Sequence, residues 1–534
     1  MPTGRTGATA LSAFGRTFRP LARPDFRRLW IGVLCGNIAQ QLLLVLANWT
    51  MLEQARAADK VALVQVAASL PVMLLALPGG ALADVFDRRR IALVAVLVAL
   101  AGALLFLLAG MRGALSPPLI LASCFVAAIG SALLAPVWQS SLTELVGRDG
   151  VSAGVALNAT SNNLSRAIGA SAGGVLLIAV GVTGLSVLTV IAFLPLVGAL
   201  LVWRRPPDAA KPTGEGLIGA SLGGLRYALR SRLARAAVTR MFCAAVGTSA
   251  IYALLPVLAA AQLDGGPGTY GLLLGSFGLG AVASGLLAGL LRDHIGPETS
   301  LRLYSTLQAA ALVVTAFSGH AWLTALAIFV GGICWVTNTA VFNVAIHLNA
   351  PRWIGGRMIA LTYASAGAGL AAGSFAWGQI ATRGSTTEAL LCAAAFLALS
   401  PWLGLVLPLP PQRPDGNDVV PSPNRIVAAA DDLHRPVQVR VHYAIPPAER
   451  AAFVALMAQM RQIRERNGAR TARLFSDPED AEHWVEVLEY RSWQAYLRAR
   501  DRVTASERGL QDRASALQSP GIGIRIERLS RFDP

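Results

Sequence analysis

The sequence predicts an all-α membrane protein of 12 transmembrane helices in two six-helix halves, followed by a C-terminal α+β soluble domain. Three observations predict it. Of 534 residues, 54% are hydrophobic and 14% charged, with a mean hydropathy of +0.53, whereas soluble domains carry roughly 25% charged residues. Apolar runs recur from residue 29 to residue 408, each long enough to cross a bilayer core of about 30 Å. Beyond Leu409 the composition turns polar: residues 430–534 hold 15 of the 30 acidic residues and 17 of the 46 basic ones.

Spans are expected at 29–52, 61–82, 91–110, 118–138, 155–180, 184–203, 237–260, 269–291, 300–319, 321–345, 355–381 and 387–408. An even number puts both termini on one side, and basic residues mark that side as cytoplasmic. The N-terminal tail (1–28) and the loops on its side hold 22 Lys and Arg, among them Arg88–Arg90 and Arg148. The opposite loops hold 4, namely Arg56, Lys60, Arg112 and Arg383. This spread accounts for much of the net charge of +16 without a nucleic-acid partner. The first thirty residues lack an early apolar core, so no cleavable signal is expected and the first span inserts the chain. The five cysteines lie far apart in apolar segments and read as small core residues, with no metal or disulfide framework.

Segment 204–236, rich in Pro, Gly and Arg, separates a first half (29–203) from a second (237–409). The halves echo each other. VWQSSLTELVGRDGVSAGVALN (137–158) aligns without a gap to VFNVAIHLNAPRWIGGRMIALT (341–362), setting Arg148 on Arg352 and, further on, Gly169 on Gly373. Duplicated halves are one way membrane folds enclose a site near the midplane. After a flexible linker (410–430), the tail (431–534) alternates as a strand over 437–443. A helix over 447–466 puts Phe453, Leu456, Met457, Met460 and Ile463 on one side, and Gly468 ends it. Strands at 469–475, 483–490 and 522–529 with helices at 491–499 and 503–517 complete a βαββαβ order, which is ferredoxin-like.

Polar residues inside apolar spans are the candidate site. In VALNATSNNLSRAIGASAGG (155–174), Asn158, Asn162 and Arg166 repeat every four residues along one helix face. Arg166 falls near mid-span, where a charge costs several kcal/mol unless it meets water or a partner. Asn37 and Gln41 share a face of the first span with Asn48, and Gln40 lies beside them. Tyr252, Trp335, Asn338 and Tyr363 are further candidates. Structural hydrogen bonding between helices explains such residues equally well.

The stretch GGALADVFDRRRIAL (79–93) puts five charges in seven positions between two apolar runs. It resembles the signature loop of the major facilitator superfamily. That resemblance implies a gating role for Gly80, Asp84 and Arg88, Asp84 pairing at the membrane edge in one state and releasing in the other. The second-half counterpart, GLLAGLLRDHIG (285–296), keeps only Arg292 and Asp293. RPLARPDFRRLW (19–30), the long fifth span and EVLEYRSWQAYLRARDRVTASERGLQ (486–511) resemble the enterobactin-exporter-like branch, the transmembrane secretion effectors. The resemblance implies a secondary active exporter of a small polar or amphipathic metabolite, siderophore-like, in a bacterial inner membrane. A multidrug pump is the alternative. Proton coupling needs a carboxylate near the cavity, and only Glu53 and Glu144 approach one, each near a span end. No nucleotide loop, metal spacing or cofactor motif occurs. The tail, with His442, His483, Trp484, Tyr490 and Trp493, reads as an assembly or regulatory module capable of self-association. The reading from another class is a membrane-tethered, metabolite-modifying enzyme acting through this tail.

Overall fold

The computed structural model describes residues 18–147, 150–204, 229, 231–291, 296–409, 433, 435–519 and 521–530, and within helices it leaves aside the side chains of 81, 83–85, 143, 286–291 and 352–353. Arg148, Arg292, Asp293, most of segment 204–236 and the linker 410–430 lie outside the described residues.

The membrane part is a run of long helices. These are α1 (Pro24–Ala55), α2 (Ala58–Val85), α3 (Arg88–Met111) and α4 (Pro117–Val146). The helix Val151–Val202 breaks at Gly181 (φ 68°, ψ −177°), a conformation that favours glycine, so its limbs 151–180 and 182–202 are α5 and α6. Then follow α7 (Arg232–Ala261), α8 (Pro267–Leu291), α9 (Pro297–Phe317), α10 (Ala321–Asn349), α11 (Arg352–Arg383) and α12 (Thr386–Leu399). Among the described residues, 9 helices are long and apolar enough to cross a membrane, counting Val151–Val202 once; α8 and α9 are not among them.

Proline and polar side chains set the ends. The junction 86–90, where α2 gives way to α3, shows how. Asp87 caps α3, accepting from the Arg90 N–H at 2.9 Å. Arg88 donates to the Ser140 carbonyl (2.8 Å) and to Glu144 (2.6 Å) at the end of α4. Arg89 donates to the carbonyls of Leu200 (2.9 Å) and Leu201 (2.7 Å) at the end of α6. Arg23 does the same for Leu145 (2.9 Å). Beyond setting topology, these arginines satisfy the carbonyls that helix ends leave without partners, at the negative pole of each dipole. Gly79 packs against Pro136 of α4, a Cβ there falling 3.2 Å from its ring, whereas Gly80 faces open space.

Both halves use glycine for the same contact. At Gly169 a Cβ would fall 2.8 Å from Gln41, so α5 lies close on α1; at Gly373 it would fall 2.8 Å from the Val246 Cα, so α11 lies close on α7. The first half buries Phe26, Leu29, Trp138, Phe193 and Leu196 in one core. In the second, Arg240 of α7 grips Glu298 of α9 through two bonds (2.6 and 2.9 Å), and Glu298 also accepts from the Leu409 N–H (2.8 Å).

The tail forms strands β1 (Val437–Ala444), β2 (Thr471–Ser476), β3 (His483–Tyr490) and β4 (Arg525–Ser530), with helices α13 (Arg450–Asn467), α14 (Trp493–Arg500) and α15 (Ala505–Ala516). The sheet order is β2-β3-β1-β4, every pair antiparallel. Val437, Val439, Val441 and Tyr443 point into the core with Phe453, Leu456, Met457 and Met460 of α13; Ile463 is half-buried. Gly468 (φ 132°) follows the helix, and the Thr504–Glu507 capping box starts α15.

Candidate functional site

Contacts between the halves run from one end of the bundle to mid-depth. At the end where α1 stops and α2 begins, the Asp59 N–H donates to Thr382 Oγ1 (2.9 Å). Trp49 of α1 stacks on Tyr270 of α8, ring centroids 6.5 Å apart. Alongside, α5 and α8 touch backbone to backbone. A Cβ at Gly271 would fall 2.8 Å from the Gly174 Cα, and one at Gly278 2.6 Å from the Ala167 Cα. On the other flank, a Cβ at Gly378 would fall 3.2 Å from the Asp59 Cα, and one at Gly367 3.0 Å from the Met73 nitrogen. These approaches seal that end, because only glycine permits them.

Where the seal stops, polar groups gather. Asn37 of α1 donates to Asn162 Oδ1 of α5 at 2.8 Å. Gln41 lies one turn from Asn37, against Gly169. Arg166 follows Asn162 by one turn on the same face, half-buried. It has no hydrogen-bond or ion-pair partner among the described residues. From the other half, Tyr252 of α7 comes close enough to feel the Arg166 charge, its ring set edge-on against Phe277 of α8 (5.2 Å). The arrangement offers one cation, three amides and a phenol at mid-depth, shared by both halves.

Of the other candidates, Asn158, Asn338 and Gln40 are engaged within one half, whereas Asn48 also meets Tyr270 of the other. Asn158 accepts from Trp138 Nε1 at 2.8 Å, buried between α4 and α5. Asn338 is buried and donates to Ser305 at 3.4 Å. Gln40 accepts from Ser131 (3.1 Å) and Asn48 donates to the Leu44 carbonyl (2.8 Å). Trp335 is buried and Tyr363 exposed. Glu53 accepts from Trp49 Nε1 at 2.7 Å near the sealed end, and Glu144 carries the ion pair to Arg88. Asp84 lies in the last turn of α2, its side chain outside the described residues.

Two polar clusters occupy the tail. Glu486 is almost fully buried and accepts from Tyr443 (3.3 Å) and Arg464 (3.4 Å). Burial and the Glu486 charge push the Tyr443 phenol up; burial does the same to Tyr490. Burial opposes the Arg464 cation most, but Glu486, Tyr490 and Tyr443 together outweigh it and keep it firmly charged. This group escapes a search for motifs; its signal is a carboxylate at an inward position of a strand whose other inward residues are Trp484, Leu488 and Tyr490. On the opposite sheet face, His442 and His483 stack (5.3 Å between centroids), with Nδ1 of one 3.1 Å from Nε2 of the other. His483 Nδ1 faces Asp477 (3.1 Å) and His442 Nε2 faces Glu527 (3.5 Å). The Glu479 N–H and His483 hold the Asp477 carboxyl below its usual range. Among the described residues, no group of three His, Cys, Asp or Glu converges on a metal position.

A family model described as a transmembrane secretion effector matches residues 15–531. Solved structures with a similar fold include a point mutant of the nucleoside transporter NupG (10% identity, TM-score 0.60, 72% of this chain and 99% of that one). A POT family transporter in complex with a thioalcohol-conjugated peptide is another (12% identity, TM-score 0.60, 71% and 95%). The human organic anion transporter MFSD10 is a third (15% identity, TM-score 0.50, 71% and 99%). No curated protein matches the chain.

Proposed function

Because the chain belongs to the transmembrane secretion effector family, membrane transporters of the major facilitator type, we propose that it is a secondary active exporter of a small polar or amphipathic metabolite. The observation that carries this reading is Arg166, a cation at mid-depth with no ion-pair partner among the described residues, where the halves meet. A charge held there at a cost of several kcal/mol is recovered when an anionic or polar group of a substrate arrives. Asn37, Asn162, Gln41 and Tyr252 supply hydrogen bonds around it.

In this reading 12 crossings place both termini in the cytoplasm of a bacterial cell, in the inner membrane. The sealed end then faces outward, and the protein stands open to the cytoplasm, ready to load. Alternating access requires the glycine contacts of α5 with α8 and of α2 with α11 to part. Asp84, Gly80 and Arg88 serve the gate at the opposite end. The branch is the enterobactin-exporter-like one and the cargo siderophore-like; a multidrug pump is the competing cargo reading. A proton gradient drives export, with Glu53 or Glu144 as its carboxylate. The tail's ferredoxin-like strand order, with Phe475 and Leu529 exposed on its uncovered face, supports a self-associating module.

The test is efflux from cells with and without the protein, loaded with labelled siderophores and dyes, beside Arg166→Ala and Asp84→Asn at matched membrane abundance. Export that stops on collapse of the proton gradient, with the apparent KM raised about tenfold or more in Arg166→Ala, is the expected result. Efflux unaffected by Arg166→Ala removes that residue from the site. No efflux of any compound with the gradient intact sinks the exporter reading.

A further inference from the structure

Just beyond Gly367, toward the end where α1 and α7 begin, α2 separates from α7 and α11 around a cleft of about 370 Å³. Met73, Phe242, Leu361 and Ala364 form its walls with Val238 and Thr239. Its character is almost wholly apolar. Ser365 also lines it, but its hydroxyl is spent on the Val238 carbonyl at 2.6 Å. Thr239 is the remaining hydroxyl on the lining. The volume falls in the range of small-molecule pockets, roughly 300–1,000 Å³.

The cleft and the Arg166 cluster lie along one helix. Phe242 and Tyr252 are both on α7, ten residues apart, which is about 15 Å at a rise of about 1.5 Å per residue. A cation without a hydrogen-bond or ion-pair partner among the described residues sits at one level, and apolar walls at the seam between halves sit at the other. Charge complementarity defines one end of an occupant and hydrophobicity the other.

We propose that the protein takes a two-part amphiphile: an anionic head on Arg166 and Tyr252, and an unbranched apolar chain of about 15 Å laid into the cleft between α2, α7 and α11. This deepens the exporter reading and rests on its mid-depth site. A substrate holding both levels bridges the halves at Met73 and Arg166 on one side and at Tyr252 and Phe242 on the other. Its chain length therefore governs affinity.

The test uses the full chain in lipid nanodiscs, with empty nanodiscs as the partition control. The probes are dansyl-undecanoic acid and dansylglycine, which share carboxylate and fluorophore and differ in spacer. The long probe is expected to bind at least about tenfold more tightly, as burial of several methylenes requires. Thr239→Trp, at an exposed position, fills the cleft and should abolish that preference while leaving dansylglycine unchanged; Ala364→Leu is the second such variant. Arg166→Gln should weaken both probes. Equal affinity for the two probes, or a preference that survives both cleft variants, overturns the cleft as a chain site and leaves the exporter reading standing. Long-probe binding undiminished in strength in Arg166→Gln overturns the two-part arrangement. Absence of saturable binding by either probe overturns the proposal together with the mid-depth site beneath it.

Discussion

At the scale of single residues, what a polar side chain faces decides its role more than its type. Asn158, Asn162 and Arg166 share a helix face in sequence, yet Asn158 is spent on Trp138 while Asn162 meets Asn37 across the α1–α5 contact. Four-residue spacing advances slightly more than one helical turn, so a face drifts, and a tryptophan N–H from α4 captures its near end. The rest of the candidate site was legible only as candidates: Arg166 as a mid-span charge and Asn37 and Gln41 as a polar stripe. The partners were not, because hydrogen bonds between helices depend on packing that no local pattern records. The tail gives the same lesson with a pH consequence. Tyr443 and Tyr490 are held neutral in the fold, their phenols raised first by burial. An unfolded tyrosine ionises near about pH 10. Between that value and the higher folded one, the native state holds more protons than the unfolded state, so stability falls as pH rises. Below about pH 10 their contribution is fully present. Urea unfolding of the tail followed from about pH 8 to about pH 11 should show this decline, and Tyr443→Phe should flatten it at a neutral-pH cost of about 1 kcal/mol. A slope identical in wild type and variant would remove Tyr443 from the account.

At the scale of elements, the closest helix contacts between the halves are glycine contacts, and among the described residues they lie toward one end and the middle of the bundle. The expected spans fall on helices, though α8 and α9 are not among the 9 helices long and apolar enough to cross a membrane among the described residues, and the break between the fifth and sixth apolar runs fell where Gly181 bends the chain. The helices extend past the apolar runs because their ends are polar and capped, as at Asp87 and Arg89. Which glycines touch which helix was not readable. Gly79 and Gly80 are neighbours in sequence, but only Gly79 meets α4. The α5–α8 seam carries the sharper prediction. At Gly278 a methyl group would press on the Ala167 backbone, which has no side-chain freedom to yield. Gly278→Val should push the seam apart and raise the population open at the sealed end. Spin labels at Lys60 and Arg383, exposed on opposite halves at that end, would report a longer distance by double electron–electron resonance. An unchanged distance distribution, with the variant folded and in the membrane, would show that the seam does not hold that end closed.

At the scale of the whole molecule, the chain joins two kinds of stability. Its membrane part is helical, with its polar backbone satisfied within each segment, as a bilayer demands. The tail is stabilised as soluble domains are, by apolar burial of one sheet face under α13. The repeat of the two halves was legible as a weak alignment at an offset of 204 residues. In the fold it reappears as equal packing of α5 on α1 at Gly169 and of α11 on α7 at Gly373. The tail's strand order was likewise legible from alternation and turn residues, whereas its pairing, β1 between β3 and β4, required the register. Residues 437–517 complete a core of their own, Val437 through Tyr496, Ala514 and Leu517. A fragment spanning 431–534 should therefore fold alone, in a single cooperative transition, with Trp484 and Trp493 shielded from quenchers. A chain ending at residue 430 should retain efflux while losing self-association, because the Arg166 site draws only on α1, α5, α7 and α8. The comparison also separates the transporter from the enzyme reading. Efflux lost with the tail, together with turnover of a metabolite by the soluble fragment, would move the activity to the tail. Efflux retained by the shortened chain would leave the tail as the part that assembles.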